Sequence, residues 1–69
     1  MLYEVAILEH PTKKEKDAGT IENLLLVPTP IVAKNEDAAK LAALKKIDLG
    51  KTDPERLEVL IRPFFWDVG

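Results

Sequence analysis

His10 is the only histidine in the chain, and so the first candidate for acid–base work. A histidine acting as a general base needs a carboxylate to orient it. Its neighbour Glu9 points the opposite way if the two share a strand, so His10 reads as a solvated residue at a strand end. Serine and cysteine do not occur, which removes the usual acyl-transfer nucleophiles. Thr12, Thr20, Thr29 and Thr52 have no base placed beside them. The acidic pairs Glu36-Asp37 and Asp53/Glu55 are explained as charges at helix starts. Gly19, Gly50 and Gly69 are scattered and form no phosphate loop. Without cysteine there is no disulfide or thiolate metal site, and a zinc ion would have to rely on carboxylates beside a single histidine. The sequence therefore offers no catalytic residue, no cofactor-binding residue and no metal ligand, and it argues against an enzyme.

Residue types suited to contact are better represented. Three of the four aromatics are consecutive, Phe64-Phe65-Trp66. If that stretch is extended, Phe64 and Trp66 face one way and Phe65 the other. In one reading Phe64 and Trp66 complete a thin core and Phe65 stays partly exposed. In the other the cluster is a docking patch, since exposed aromatics anchor interfaces through large area at low entropy cost. Pro28 and Pro30 mark a second candidate contact site. Alternate residues of a strand direct their N–H groups to the same side, so both prolines strip donors from one edge. The lysines of Lys13, Lys14 and Lys16 are interleaved with Glu15 and Asp17, which cancels much of their field. That loop reads as solvated, with a phosphate contact as the weaker alternative.

Composition narrows the classes. Sixty-nine residues make one domain, 1–69, with a thin core that often needs a partner or a second copy as support. An apolar fraction of 46% is too high for a disordered chain. A net charge of −2 lacks the basic excess of a nucleic-acid binder or of a protein held on anionic membrane by charge. Leu2 to Leu8 is interrupted by Glu4 and has no basic leader, so no signal peptide is expected. No apolar run approaches membrane-spanning length. The expected setting is soluble and cytoplasmic.

These residues need elements to hold them. Leu2 to Leu8 reads as a strand with Tyr3, Val5 and Ile7 on one face and Leu2, Glu4, Ala6 and Leu8 on the other. Both faces are largely apolar, which predicts a central strand ended by His10-Pro11. Thr12 and Glu15 have capping-box spacing, so Lys13 to Ala18 is either one or two helical turns or a flexible loop. Leu24 to Ala33 is a second strand, at the sheet edge or bent away at its prolines. Asn35 caps a helix expected from Glu36 to about Ile47, with Leu41, Leu44 and Ile47 as the core stripe and Gly50 as the stop. The alanines between them let the helix lie close to a sheet. Asp53-Pro54 begins a single turn leading into a strand over Leu57 to Ile61, interrupted by Pro63; a second helix from Pro54 to Ile61 is the competing reading. The sum is an α+β fold in β-β-α-β order: a small three-stranded sheet with one helix packed on one face.

Three segments carry a resemblance: Leu2-Tyr3-Glu4-Val5-Ala6-Ile7-Leu8-Glu9 with Pro11-Thr12-Lys13-Lys14-Glu15, then Val32 to Ala39, then Glu58 to Phe64. They resemble short uncharacterised proteins of tailed bacteriophages. The resemblance implies a viral protein in the host cytoplasm and carries over no functional residue; Phe65-Trp66-Asp67 lies outside it. The functional expectation is a small non-enzymatic factor that binds a host or viral protein or itself. A decoration-type virion component is the alternative, and a nucleic-acid module using the lysine loop is the weaker one.

Overall fold

A computed structural model describes residues 1–64. Five elements follow one another: β1 (Leu2–Glu9), α1 (Lys13–Asp17), β2 (Asn23–Val32), α2 (Glu36–Leu44) and β3 (Leu57–Pro63), with short 3-10 turns at Leu49–Lys51 and Pro54–Arg56. The sheet order is β2-β1-β3, and both outer strands run antiparallel to β1. The expected α+β architecture is thus the observed one, with β1 central and β2 at an edge. β2 and β3 run parallel to each other on either side of β1, and α2 carries the chain between them. The strand reading of Leu57 to Ile61 holds, and the strand continues through Pro63, which pairs with Tyr3.

The core lies on one face of the sheet. Tyr3, Val5 and Ile7 alternate toward α2, where they meet Ile31, Ala39 and Ala43. Val5, Ile7, Ala39 and Ala43 have no exposed surface. Leu25, Leu26, Leu44, Ile47, Leu57, Val59 and Ile61 pack round this centre. Small residues at positions 39 and 43, one helical turn apart, let the α2 backbone come down onto β1.

The helix differs from expectation in two ways. Leu41 is 61% exposed and belongs to no core stripe. Residues spaced by three drift about 60° per step round an α-helix, so Leu41, Leu44 and Ile47 do not share a narrow face. Leu41 lies two residues from both Ala39 and Ala43, about 200° round the axis and so on the far side. Secondly, α2 ends at Leu44 rather than Ile47, and Gly50 does not stop it. Lys46 N–H donates to Ala43 and Ile47 N–H to Leu44, the shorter-range bonds that tighten a last turn. The Asp48 side chain then accepts from Gly50 N–H at 3.0 Å and begins a separate turn that contains Gly50.

Capping explains the remaining boundaries. Asn35 Oδ1 accepts from Ala38 N–H at 2.9 Å, as expected of an N-cap. Of the two readings for Lys13 to Ala18, the helical one holds. Glu15 N–H donates to Thr12 Oγ1, and Thr12 N–H donates back to Glu15 Oε1, a complete capping box. Asp53 caps the turn ahead of β3 by accepting from Glu55 N–H at 3.0 Å, with proline at its first position.

Two substitutions check the packing. Ala43→Leu should drive a larger side chain into the helix–sheet contact and cost about 1–3 kcal/mol. Leu41→Ala, on the outer face, should change stability by less than about 0.5 kcal/mol. Urea unfolding of both variants measures the contrast; equal losses would return Leu41 to the core.

Candidate interaction surface

The second face of the sheet is defined by register. Leu2, Glu4, Ala6 and Leu8 alternate away from α2. Cross-strand partners share a face, which places Val32, Pro30 and Leu24 beside Leu2, Glu4 and Leu8 on one side, and Arg62, Leu60 and Glu58 beside Glu4, Ala6 and Leu8 on the other. Among the described residues, no helix packs on this face. An antiparallel sheet with one solvated face usually shows polar residues there. Here Leu24 and Leu60 are a little under half exposed and Val32 is 81% exposed.

The middle of the face is partly closed by side chains. Ala6 is buried although it faces away from the helix. It floors a groove of about 270 Å³ bordered by Glu4, Pro28, Leu60, Ile61 and Arg62. Glu4 Oε1 accepts from Arg62 Nε at 2.9 Å and lies 2.8 Å from its Nη2, a two-point contact along one rim. Pro28 sits where the β1–β2 register slips: Val5 pairs with Thr29 and Ile7 with Leu26, so Val27 and Pro28 together oppose Ala6. Such a bulge bends an edge strand and re-aims its side chains.

The two prolines are not brought into one site. Pro30 borders a wider groove between β2 and α2, lined also by Val32, Ala38, Leu41 and Lys45. Met1 and Ala33 exchange both backbone bonds, at 2.9 Å each. By alternation Ile31 then turns its N–H toward β1, and Pro30 occupies an outward position. Proline at that position removes a donor that a further strand would use. Phe64 is half-buried, and its N–H donates to Leu2 at 2.9 Å, one step beyond the end of β3. Phe65 and Trp66 lie outside the described residues.

A charged network at the far end of the sheet was not anticipated. His10 Nε2 stands 2.8 Å from Glu58 Oε1, and its Nδ1 stands 3.8 Å from Glu22 Oε1. Arg56 donates through Nε to the His10 carbonyl at 2.8 Å and through Nη2 to Glu15 at 3.0 Å, with Glu9 at 3.9 Å. Glu9 does not orient the histidine, as expected, but two carboxylates distant in sequence flank it. Their contacts depend on strand pairing, which local spacing does not reveal. The network joins the β1–β2 loop, α1 and the start of β3, and its groups are partly exposed. Among the described residues no cluster of metal-ligating side chains forms, and no helix is long and apolar enough to cross a membrane.

Compared with known proteins, the chain matches no family model, no curated protein and no solved structure.

Glu15 supplies a pH test. Its backbone and side-chain hydrogen bonds with Thr12 hold the carboxyl below its ordinary value, and the nearby Arg56 adds to this. A carboxylate lowered in the folded state contributes stability above its unfolded value and loses it as pH falls through the folded one. The Glu15 carboxyl carbon, followed by NMR, should titrate below the ordinary glutamate midpoint. Thr12→Val removes the hydroxyl and keeps the backbone N–H, so it should raise the midpoint part of the way and flatten the acid limb of the stability curve to the same extent. An unchanged midpoint in the variant would leave the backbone N–H, not the hydroxyl, as what Thr12 contributes.

Proposed function

We propose that this chain is a small non-enzymatic interaction factor that works by binding another protein through the open face of its sheet. One observation supports this above the others: a sheet face bearing Leu2, Ala6, Leu8, Leu24, Val32 and Leu60 has no covering element among the described residues. Apolar area left in water on so thin a domain is stabilised by anything that covers it, and contiguous patches of this kind are typical of contact sites. The charged rim of Glu4 and Arg62 would orient a partner without adding much affinity. In keeping with the resemblance to short phage proteins, the proposed setting is a host cytoplasm and the proposed ligand a host or viral protein.

The test uses purified protein as bait, with each captured candidate rebuilt from pure components. Val32→Lys and Leu24→Lys place charges on the β2 half of the face, far from the core. Each should weaken the reconstituted complex by about tenfold or more. Leu49→Lys, an exposed position in the turn after α2 that borders neither the Ala6 groove nor the Pro30 groove, should leave it unchanged. A complex that tolerates both face variants, or one lost equally in all three, would refute the open face as the binding surface.

A further inference from the structure

The two edges of the sheet are unlike, and the difference selects a partner. On β2 the outward positions include Pro30, with Pro28 in the bulge, so that edge is poor in donors. On β3 the pairing with β1 is regular throughout. Its ladder is fixed at both ends by Phe64 N–H to Leu2 at 2.9 Å and His10 N–H to Arg56 at 2.7 Å. Alternation from these bonds makes the even residues 58, 60, 62 and 64 the ones that bond β1. Leu57, Val59, Ile61 and Pro63 therefore turn their backbone groups to the free edge. Leu57 N–H is already given to Pro54, and Pro63 has none. Among the described residues, Val59 and Ile61 remain as open donors and acceptors, bounded on both sides by residues that offer no donor.

We infer that β3 pairs antiparallel with β3 of a second copy of this chain, about a two-fold axis at Leu60, giving a continuous six-stranded sheet. In that register Val59 and Ile61 exchange backbone bonds with Ile61 and Val59 of the second copy. The donorless residues 57 and 63 face each other. Leu60 meets Leu60 in a non-hydrogen-bonded pair, where side chains approach most closely. Glu58 stands opposite Arg62 of the second copy, twice by symmetry. Charge complementarity singles out this alignment. A slip of two residues one way sets Arg62 against Arg56, and the other way sets Glu58 against Phe64. The groups are available for it: the Arg62 side chain is 73% exposed and that of Glu58 48%. Each already has a partner on the β1 side, the Glu4 carboxylate for Arg62 and the His10 imidazole for Glu58. The dimer joins His10, Glu58, Arg62 and Glu4 into one row of polar contacts across the axis. This inference goes beyond the proposed function: it rests on the free backbone edge of β3 and takes from the open face only the side chains of Glu58, Leu60 and Arg62.

The experiment combines charge exchange with cross-linking. Light scattering of the intact chain should show the mass rising toward twice the chain mass with concentration. Arg62→Glu alone sets Glu58 against a glutamate, and Glu58→Arg alone sets Arg62 against an arginine. Each should weaken self-association by about tenfold or more, because like charges directly opposite repel where unlike ones attract. Mixing the two variants restores both pairs and should restore the dimer, which separates an interface effect from a folding failure. The chain has no cysteine, so Leu60→Cys reports on the axis. Its two Cα atoms would lie about 4.5 Å apart, within disulfide range. It should oxidise to a covalent dimer, whereas Glu58→Cys and Arg62→Cys alone should not. A mass constant at that of one chain, association indifferent to the charge variants, or equal cross-linking at all three positions would each overturn the proposal.

Discussion

Everything in this molecule hangs on the seam between β1 and α2. Val5 and Ile7 are fully buried against Ala39 and Ala43, and the other packed residues are arranged round that contact. A domain of this size has little interior to spend, so the place where helix and sheet approach most closely decides whether it holds together. Alanines make the approach possible by lacking bulk. The apolar area they do not provide comes from Ile31, Leu44 and the inward residues of β3. Because β1 is central, both ladders and the helix contact converge on the same eight residues. The edge strands, by contrast, are each held on one side only.

Much of this was legible in the sequence, for physical reasons that differ between elements. The doubly apolar alternation of Leu2 to Leu8 predicted a central strand because only a central strand hides both faces in part. Pro28 and Pro30 predicted an edge because the missing donors are a backbone property that no tertiary contact repairs. Asn35 and Thr12 marked helix starts because a cap is a contact within four residues. Helix rotation was not legible. Leu41, Leu44 and Ile47 look like a stripe, yet the sheet selects the smaller residues 39 and 43. Close approach to β1 outweighs the larger apolar area of Leu41, a tertiary preference that periodicity does not encode. The end of α2 falls short of Ile47 for a local reason: the residues after Leu44 tighten into shorter-range bonds, and the Asp48 side chain caps a separate turn.

The candidate site was partly visible for the same reasons. Pro28 and Pro30 were identified, but as a pair; the bulge separates them onto different grooves. The His10 network was invisible because Glu58 reaches it from β3 and Glu22 from the end of the β1–β2 loop, and strand pairing sets which side chains stand opposite. Glu4 and Arg62 are likewise far apart in sequence and directly opposed in the sheet. Pairings of this kind follow from register, and register follows from which face is buried.

The open face is the feature that composition alone would not have singled out. If its only task were to meet water, polar residues at the even positions of β1 would serve. Instead three of those four positions, Leu2, Ala6 and Leu8, are apolar and only Glu4 is charged. The buried state of Ala6 shows what this arrangement achieves without a second layer: Pro28 and Leu60 close over a small residue, while the Glu4–Arg62 pair edges the depression. That closure is local, and Val32 and Leu24 on the β2 side remain in solvent. The bulge at Val27 and Pro28 contributes here too, since it bends β2 where the groove forms and discourages strand addition along that edge. The same strand thus presents apolar side chains on its open face while restricting backbone pairing at its edge. The exposed apolar side chains of the open face gather mostly on the β2 side, where the backbone edge is poor in donors, and the regular backbone edge lies on β3, with β1 between them.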